Sequence, residues 1–183
     1  MDEHESLRGQ LLIASPALVD PNFRRAVVLV TEHTDEGAMG LVLNRPTEAA
    51  VVDAVPPLED LVEPGACVHV GGPVQPNAVV VLAEFDDPEE SAALVLGDVG
   101  FVRADVEPGA LPESTRRARV FAGYAGWGEG QLEAELEEES WFVEEALPED
   151  VFNGSLDLWS DVLERKGGPY ALLSKMPPDP SLN

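Results

Sequence analysis

The sequence predicts an α+β fold in a single domain. Short apolar runs are separated by turn residues along most of the chain, and helical patterns are few. One pair of runs, Ala26–Thr31 and Met39–Leu43, flanks Asp35-Glu36-Gly37 and reads as a β-hairpin. Strands joined by tight turns pair antiparallel. A regular βαβ series would need a helix between successive strands.

The elements follow in order. Leu11–Ala14 is a short buried strand stopped by Ser15-Pro16, and Asp20-Pro21-Asn22 is a turn. The hairpin comes next. Thr47–Val55 has the composition of a helix, ended by Pro56-Pro57, and Glu59–Val62 is a short helical or irregular piece. Cys67–Val70 is a strand that runs into the sharp break Gly71-Gly72-Pro73. Ala78–Phe85 is another strand, and Asp86-Asp87-Pro88 opens a loop or short helix. Ala92–Leu96 and Gly100–Val102 are short strands around Gly97-Asp98, and Pro108–Pro112 is a loop. Arg119–Tyr124 and Trp141–Val143 are strands. Between them Glu129–Glu139 places Leu132 and Leu136 at i and i+4, a helix with one apolar stripe. In Ser155–Arg165, Leu156, Trp159, Val162 and Leu163 share a helical face, and Gly167-Gly168-Pro169 ends it. Residues 1–176 are expected to form the domain, with 177–183 a loose proline-rich tail.

The 183 residues suit one domain, and a hydrophobic fraction of 44% is enough for a core. The 35 Asp+Glu against 11 Lys+Arg give a formal net charge of -24. That charge repels phosphate backbones and anionic lipid and favours solubility, so direct DNA binding is disfavoured. Arg116, Arg117 and Arg119 form the densest basic patch. The single cysteine, Cys67, allows no internal disulfide and fits a reducing compartment. The acidic N-terminus lacks a secretion pattern, and no apolar run is long enough for a membrane helix. The expectation is a cytoplasmic protein.

Four segments, in order, resemble the YqgE/AlgH-like family of bacterial proteins: LLIASPALVDPNFRRAVVLVTEH (Leu11–His33), GAMGLVLNRP (Gly37–Pro46), GGPV (Gly71–Val74) and GYAGWGEGQLEAEL (Gly123–Leu136). The resemblance implies an α+β domain with a bent, barrel-like mixed β-sheet and flanking helices. Through the family's name it implies a proposed part in regulating alginate genes, but no particular reaction. The chain departs from the pattern in three places. Many members carry a cysteine where Thr31 stands, and an Arg-Gly pair and a histidine where Ala78-Val79 and Ala83 stand. Chemistry that uses that thiol or imidazole is closed to this chain.

The candidate ligand-binding residues are Asn44, Arg45, Gly71, Gly72, Tyr124, Trp127 and Gln131. In Gly123–Glu133 a strand feeds a glycine-rich turn and a helix start. That geometry can offer N–H groups to an anion, with Gln131 adding donors and Trp127 a wall. A tight connection with Trp127 packed in the core explains the same residues, and Glu129 and Glu133 oppose an anion. Arg45 at a strand end can fork onto a carboxylate or phosphate, or form a structural ion pair. Gly71-Gly72 lets backbone approach a ligand closely, or simply bends the chain. Cys67 and His69 share a strand face and could pair as thiolate and imidazole, although an apolar setting favours an inert thiol. His33 reads as a hydrogen-bonded structural histidine, and Glu133 and Glu137 as a solvated acidic face. No zinc spacing, EF-hand order, nucleotide P-loop or Ser-His-Asp triad is present, so no metal or cofactor is expected and no catalytic residue is assigned.

The sequence reading is therefore a non-enzymatic regulatory or interaction domain that binds a protein or small ligand. The alternative is a hydrolase or transferase acting on a small phosphorylated or carboxylated metabolite. A DNA-binding regulator ranks last.

Overall fold

The hairpin predicted from Ala26–Leu43 lies within the sheet rather than at its edge. The computed structural model describes residues 6–103, 114–153 and 157–177. Strand β1 (Gln10–Ala14) pairs with β2 (Val27–Thr34), and β2 turns back into β3 (Gly37–Val42). Next come β4 (Pro46–Ala50), a single turn α1 (Val51–Ala54), a 3-10 turn at Pro56–Leu58, and β5 (Cys67–Val70). The long β6 (Val74–Phe85) leads to β7 (Ala93–Leu96), β8 (Val99–Phe101) and the equally long β9 (Thr115–Trp127). The chain ends with α2 (Gln131–Glu137), β10 (Trp141–Glu145), α3 (Pro148–Phe152), α4 (Leu158–Lys166) and α5 (Pro169–Leu173).

Among the described residues the strand order is β10-β1-β2-β3-β9-β6-β8-β7, with β4 and β5 branching from β9. Most pairs are antiparallel, and β5 lies parallel to β9, so the sheet is mixed. It curls until the start of β1 meets β7: Arg8 donates to the carbonyl of Leu94, and a Cβ at Gly9 would lie 3.0 Å from that of Val95. Among the described residues no strand ladder joins β10 to β7, the two ends of this order, so the barrel-like sheet is not closed.

The continuous apolar runs of β1 and β2 follow from burial on both faces. Leu11, Ile13, Val27 and Leu29 face the main core, where α4 contributes Trp159, Val162 and Leu163. Leu12, Ala14, Val28 and Val30 face a second core that holds Trp127, Leu132 and Trp141. Trp159 also donates its indole N–H to the carbonyl of Ala14 at 2.8 Å, fixing α4 on the end of β1. Asp150, 3% exposed, accepts both N–H arms of Arg165 at 2.8 and 2.9 Å and so links α3 to α4. Truncating any of these large core side chains should cost about 2–5 kcal/mol.

Several element boundaries move, each for a tertiary reason. Thr47–Val55 is not one helix. Its first part is β4, because Pro46 and Ala50 pair with β5 and the Thr47 hydroxyl donates to the carbonyl of Val68 at 2.7 Å. Proline is tolerated there as the first residue of the strand. Only Val51–Ala54 is helical. The strands predicted at Ala78–Phe85 and Arg119–Tyr124 run longer, because β6 and β9 pair along most of their length. The α2 helix is shorter than Glu129–Glu139. Gly167 ends α4 as expected, but Pro169 then starts α5, where its fixed φ suits a first helical position. Ser155, Leu156, the Pro108–Pro112 loop and residues 178–183 of the tail lie outside the described residues. No described helix is long and apolar enough to cross a membrane.

Candidate functional site

Three of the motif segments meet at one end of the sheet. The end of β3 continues through Asn44 to Arg45, and this stretch runs beside the end of β5: Val70 donates to the carbonyl of Arg45 and Val42 to that of Gly71, both at 2.8 Å. Asn44 fixes the position of the loop. Its amide oxygen accepts from Val27 N–H at 3.0 Å and its amide nitrogen donates to the carbonyl of Arg25 at 2.9 Å. The turn at Asp20 is held by Asn22 N–H donating to the Asp20 carboxylate at 2.8 Å. Together these pieces surround a pocket of about 240 Å³. Pro21 and Asn22 come from the first motif, Arg45 and Pro46 from the second, and Gly72 and Pro73 from the third; Val42 and Val70 complete the wall.

Gly71 and Gly72 shape this pocket through backbone contact. Gly71 donates to the carbonyl of Ala122 at 2.8 Å. A Cβ at Gly71 would overlap the carbonyl oxygen of Gly123, and one at Gly72 would overlap the backbone of Tyr124. Gly123 has φ +75°, and a Cβ there would lie 2.5 Å from the carbonyl oxygen of Gly72. Only glycine lets these two chains cross so closely. The fourth motif thus supplies backbone beneath the pocket, through Gly123 and Tyr124. The half-buried Tyr124 side chain packs toward the main core.

Arg45 is the charged side chain in this wall. Its guanidinium donates to the backbone carbonyl of Arg24, and among the described residues it forms no ion pair. The structural ion pair weighed from sequence is therefore replaced by a backbone contact. Burial lowers the Arg45 pKa from its ordinary value, which leaves it a charged group with reduced hydration.

Trp127 and Gln131 lie elsewhere. Trp127 sits opposite Ala38 at the start of β3, about 13 Å along the strand from Val42. Its indole is buried between Phe23 and Trp141, and both tryptophan N–H groups donate to Glu135, at 3.3 and 3.0 Å. The Gln131 side chain accepts from Gly128 N–H at 3.0 Å and so braces the turn before α2. Nearby, buried His33 accepts from Leu7 N–H at 3.0 Å through Nδ1 and meets Glu133 at 2.7 Å through Nε2. Glu133 thus serves a histidine while its side chain stays 41% exposed, on the same solvated face as the exposed Glu137.

Cys67 and His69 line a different and larger cavity, of about 470 Å³. The imidazole Nδ1 donates to the backbone carbonyl of Cys67 at 3.3 Å, while the Cys67 thiol lies 3.8 Å from the carbonyl of Gly65. The contact expected of a thiolate–imidazole pair is thus made by backbone instead. Among the described residues no three His, Cys, Asp or Glu side chains converge as a metal-ligand set.

The AlgH-like sequence profile matches residues 11–171, which spans all four motifs and the helices behind them. The chain belongs to the AlgH-like family. A UPF0301 protein of Streptomyces coelicolor is 46% identical, with all of this chain and 98% of that protein aligned. A UPF0301 protein of Mycobacterium tuberculosis is 41% identical over 96% of this chain and 90% of its own length. The crystal structure of a Corynebacterium diphtheriae protein superposes with a TM-score of 0.86 at 31% identity, covering 96% of this chain and 95% of that one. The solution structure of the AlgH protein from Pseudomonas aeruginosa superposes with a TM-score of 0.70 at 29% identity, covering 97% of each chain. In this AlgH-like domain the sequence signal for Arg45 and Gly72 was present. Pro21, Asn22 and Pro73 carried the same signal but read only as turn residues. Val42 and Val70 look like ordinary strand residues in sequence, and only the fold places them at the pocket.

Proposed function

We propose that this AlgH-like protein is a non-enzymatic binding domain, of regulatory or interaction type, that holds the carboxylate or phosphate of a ligand against Arg45. The observation that carries this reading is the meeting of three segments distant in sequence around one partly desolvated arginine that has no carboxylate partner among the described residues. In a chain with 35 acidic side chains, such an arginine is a ready receptor for an outside anion. The planar guanidinium gives one N–H to the Arg24 carbonyl and has others for a bidentate contact. The proline-edged wall and the crossed glycine backbones hold the pocket stiff, which lowers the ordering cost of binding.

The lining supports binding over catalysis. Asn22 and Arg45 are its polar side chains, and neither is a nucleophile or an acid–base group near neutral pH. A protein partner that presents a carboxylate would be read by the same chemistry.

Calorimetric titration with inorganic phosphate, acetate, succinate and citrate tests the proposal. At least one is expected to bind the wild type at millimolar concentration or below, and Arg45→Gln to weaken it about tenfold or more. The ligand-free melting temperature of Arg45→Gln should stay within a few degrees of wild type, because the side chain gives up only one surface backbone contact. No binding by any probe, or equal binding by Arg45→Gln, overturns the reading. Turnover of a bound probe would replace it with the enzymatic one.

A further inference from the structure

The larger cavity lies on the opposite side of β5 from the Arg45 pocket. Successive strand residues point to opposite faces, so His69 lines the large cavity and Val70 the small one. Its walls come from the 60–66 loop, β5, the first half of β9 and Phe152 of α3.

The three arginines of the basic patch differ sharply here. Arg116 is held by Asp86 at 3.2 Å and Asp98 at 2.9 Å. Arg117 lies between Glu84 at 3.0 Å and Glu149 at 2.7 Å, with its guanidinium over the Phe152 ring. Arg119 is more buried, and among the described residues it forms no ion pair with a carboxylate. Its hydrogen bonds there go to the backbone carbonyls of Asn153 and Phe152, at the long distances of 3.3 and 3.4 Å. Burial lowers its pKa, and the opposing pull of Glu63 is the weaker influence.

His69 stands close enough for Arg119 to act on it. Burial first, and the Arg119 charge second, lower the imidazole pKa to about 4, so the ring is neutral at physiological pH. Because Nδ1 donates to the Cys67 carbonyl, Nε2 holds a lone pair and can accept a hydrogen bond. Toward solvent the cavity carries the exposed carboxylates Asp60 and Glu63. The inner wall is thus cationic and the rim anionic. A ligand with two negative groups would meet the rim unfavourably, and a net charge of -24 would repel it further. A molecule with one anionic and one cationic end matches both zones. The volume of about 470 Å³ lies within the range of small-molecule sites.

We infer that this cavity binds a small zwitterion, with its carboxylate on Arg119 and its ammonium group toward Asp60 and Glu63. Free amino acids and short peptides carry that chemistry, and Phe152 in the wall suits an apolar side chain. This site is separate from the Arg45 pocket, and either could fail without the other.

The test is titration of the full-length protein with L-leucine, L-phenylalanine and leucyl-glycine. Leucinamide, which lacks the carboxylate, and the 2-hydroxy analogue of leucine, which lacks the ammonium group, are the controls. At least one zwitterion should bind about tenfold or more tightly than either control. Arg119→Lys keeps the charge but loses the fork, and should weaken that binding about fivefold or more; Arg119→Gln should abolish it. The Asp60→Asn, Glu63→Gln pair should weaken the amino acid but not its hydroxy analogue. Arg45→Gln should leave zwitterion binding unchanged. The inference is overturned if none of the three zwitterions binds at tens of millimolar, if the hydroxy analogue binds equally well, or if Arg119→Lys binds as wild type does.

Discussion

The two pockets that share β5 as a wall are built by different means. The Arg45 pocket is made of backbone: crossed glycines, three prolines and a loop clamped by the Asn44 amide. The Arg119 cavity is made of side chains, with ion pairs holding two of its arginines and a histidine beside the third. Backbone shape tolerates almost no substitution at the crossing points. Side-chain shape can be changed group by group, because each ion pair adjusts separately. The first kind of site leaves glycine and proline motifs in a sequence, and the second leaves scattered charges.

Breaking the backbone crossing should give the largest effect. Gly71→Ala drives a methyl group into the Gly123 carbonyl, and Gly123→Ala combines a similar collision with a left-handed φ of +75°. Each should cost about 3 kcal/mol or more, seen as a fall in melting temperature of roughly 10 °C. A loss below about 1 kcal/mol would show that the crossing relaxes easily and is not the rigid frame described above.

The side-chain wall should yield a smaller loss. Arg117→Ala removes the fork that holds Glu84, whose side chain is 12% exposed. Among the described residues the carboxylate then keeps a long contact with Arg116 at 4.0 Å. Denaturant unfolding should show a loss of about 2 kcal/mol, below that of a fully buried pair because Arg117 is itself partly solvated. A loss as large as that of Gly71→Ala would erase the distinction between the two constructions.

The third effect is absent at neutral pH and is a pH dependence. The folded pKa of His69, about 4, lies below the ordinary value of 6.5. The unfolded chain therefore takes up the proton first, and stability is lost as pH falls from about 6.5 toward 4. His69→Gln should lose less stability than wild type across that window. In an NMR titration, Arg119→Gln should raise the His69 pKa by less than about one unit, since burial is the larger cause of its depression. Identical pH profiles for wild type and His69→Gln would refute this account of the imidazole.

Much of the first pocket was legible in the sequence. Arg45 and Gly72 were singled out because glycine, proline and arginine at strand ends carry a backbone or charge requirement that few other residues meet. Asn44 and Gly71 were singled out with them, and the fold shows the loop clamp and the chain crossing that these two make. Trp127 and Gln131 were grouped with them because motif order records neighbours along the chain, whereas β3 sets the two groups at opposite ends. The second cavity was not legible. Arg119 stood in the sequence as one of three similar arginines, and nothing local says that its neighbours take carboxylates while it does not.

The division between β4 and α1 has the same origin. Thr47–Val55 carries a helical composition, yet the backbone of β5 offers Pro46–Ala50 hydrogen bonds that local preference cannot anticipate. By itself the sequence determined the α+β class, the central hairpin, the main helical faces and the residues that need special backbone, because each follows from short-range periodicity or sterics. Only the tertiary structure decided which strand ends meet, which arginines bond backbone carbonyls instead of carboxylates among the described residues, and that one strand separates two pockets. Those outcomes depend on contacts between residues tens of positions apart, and such contacts leave no local signature.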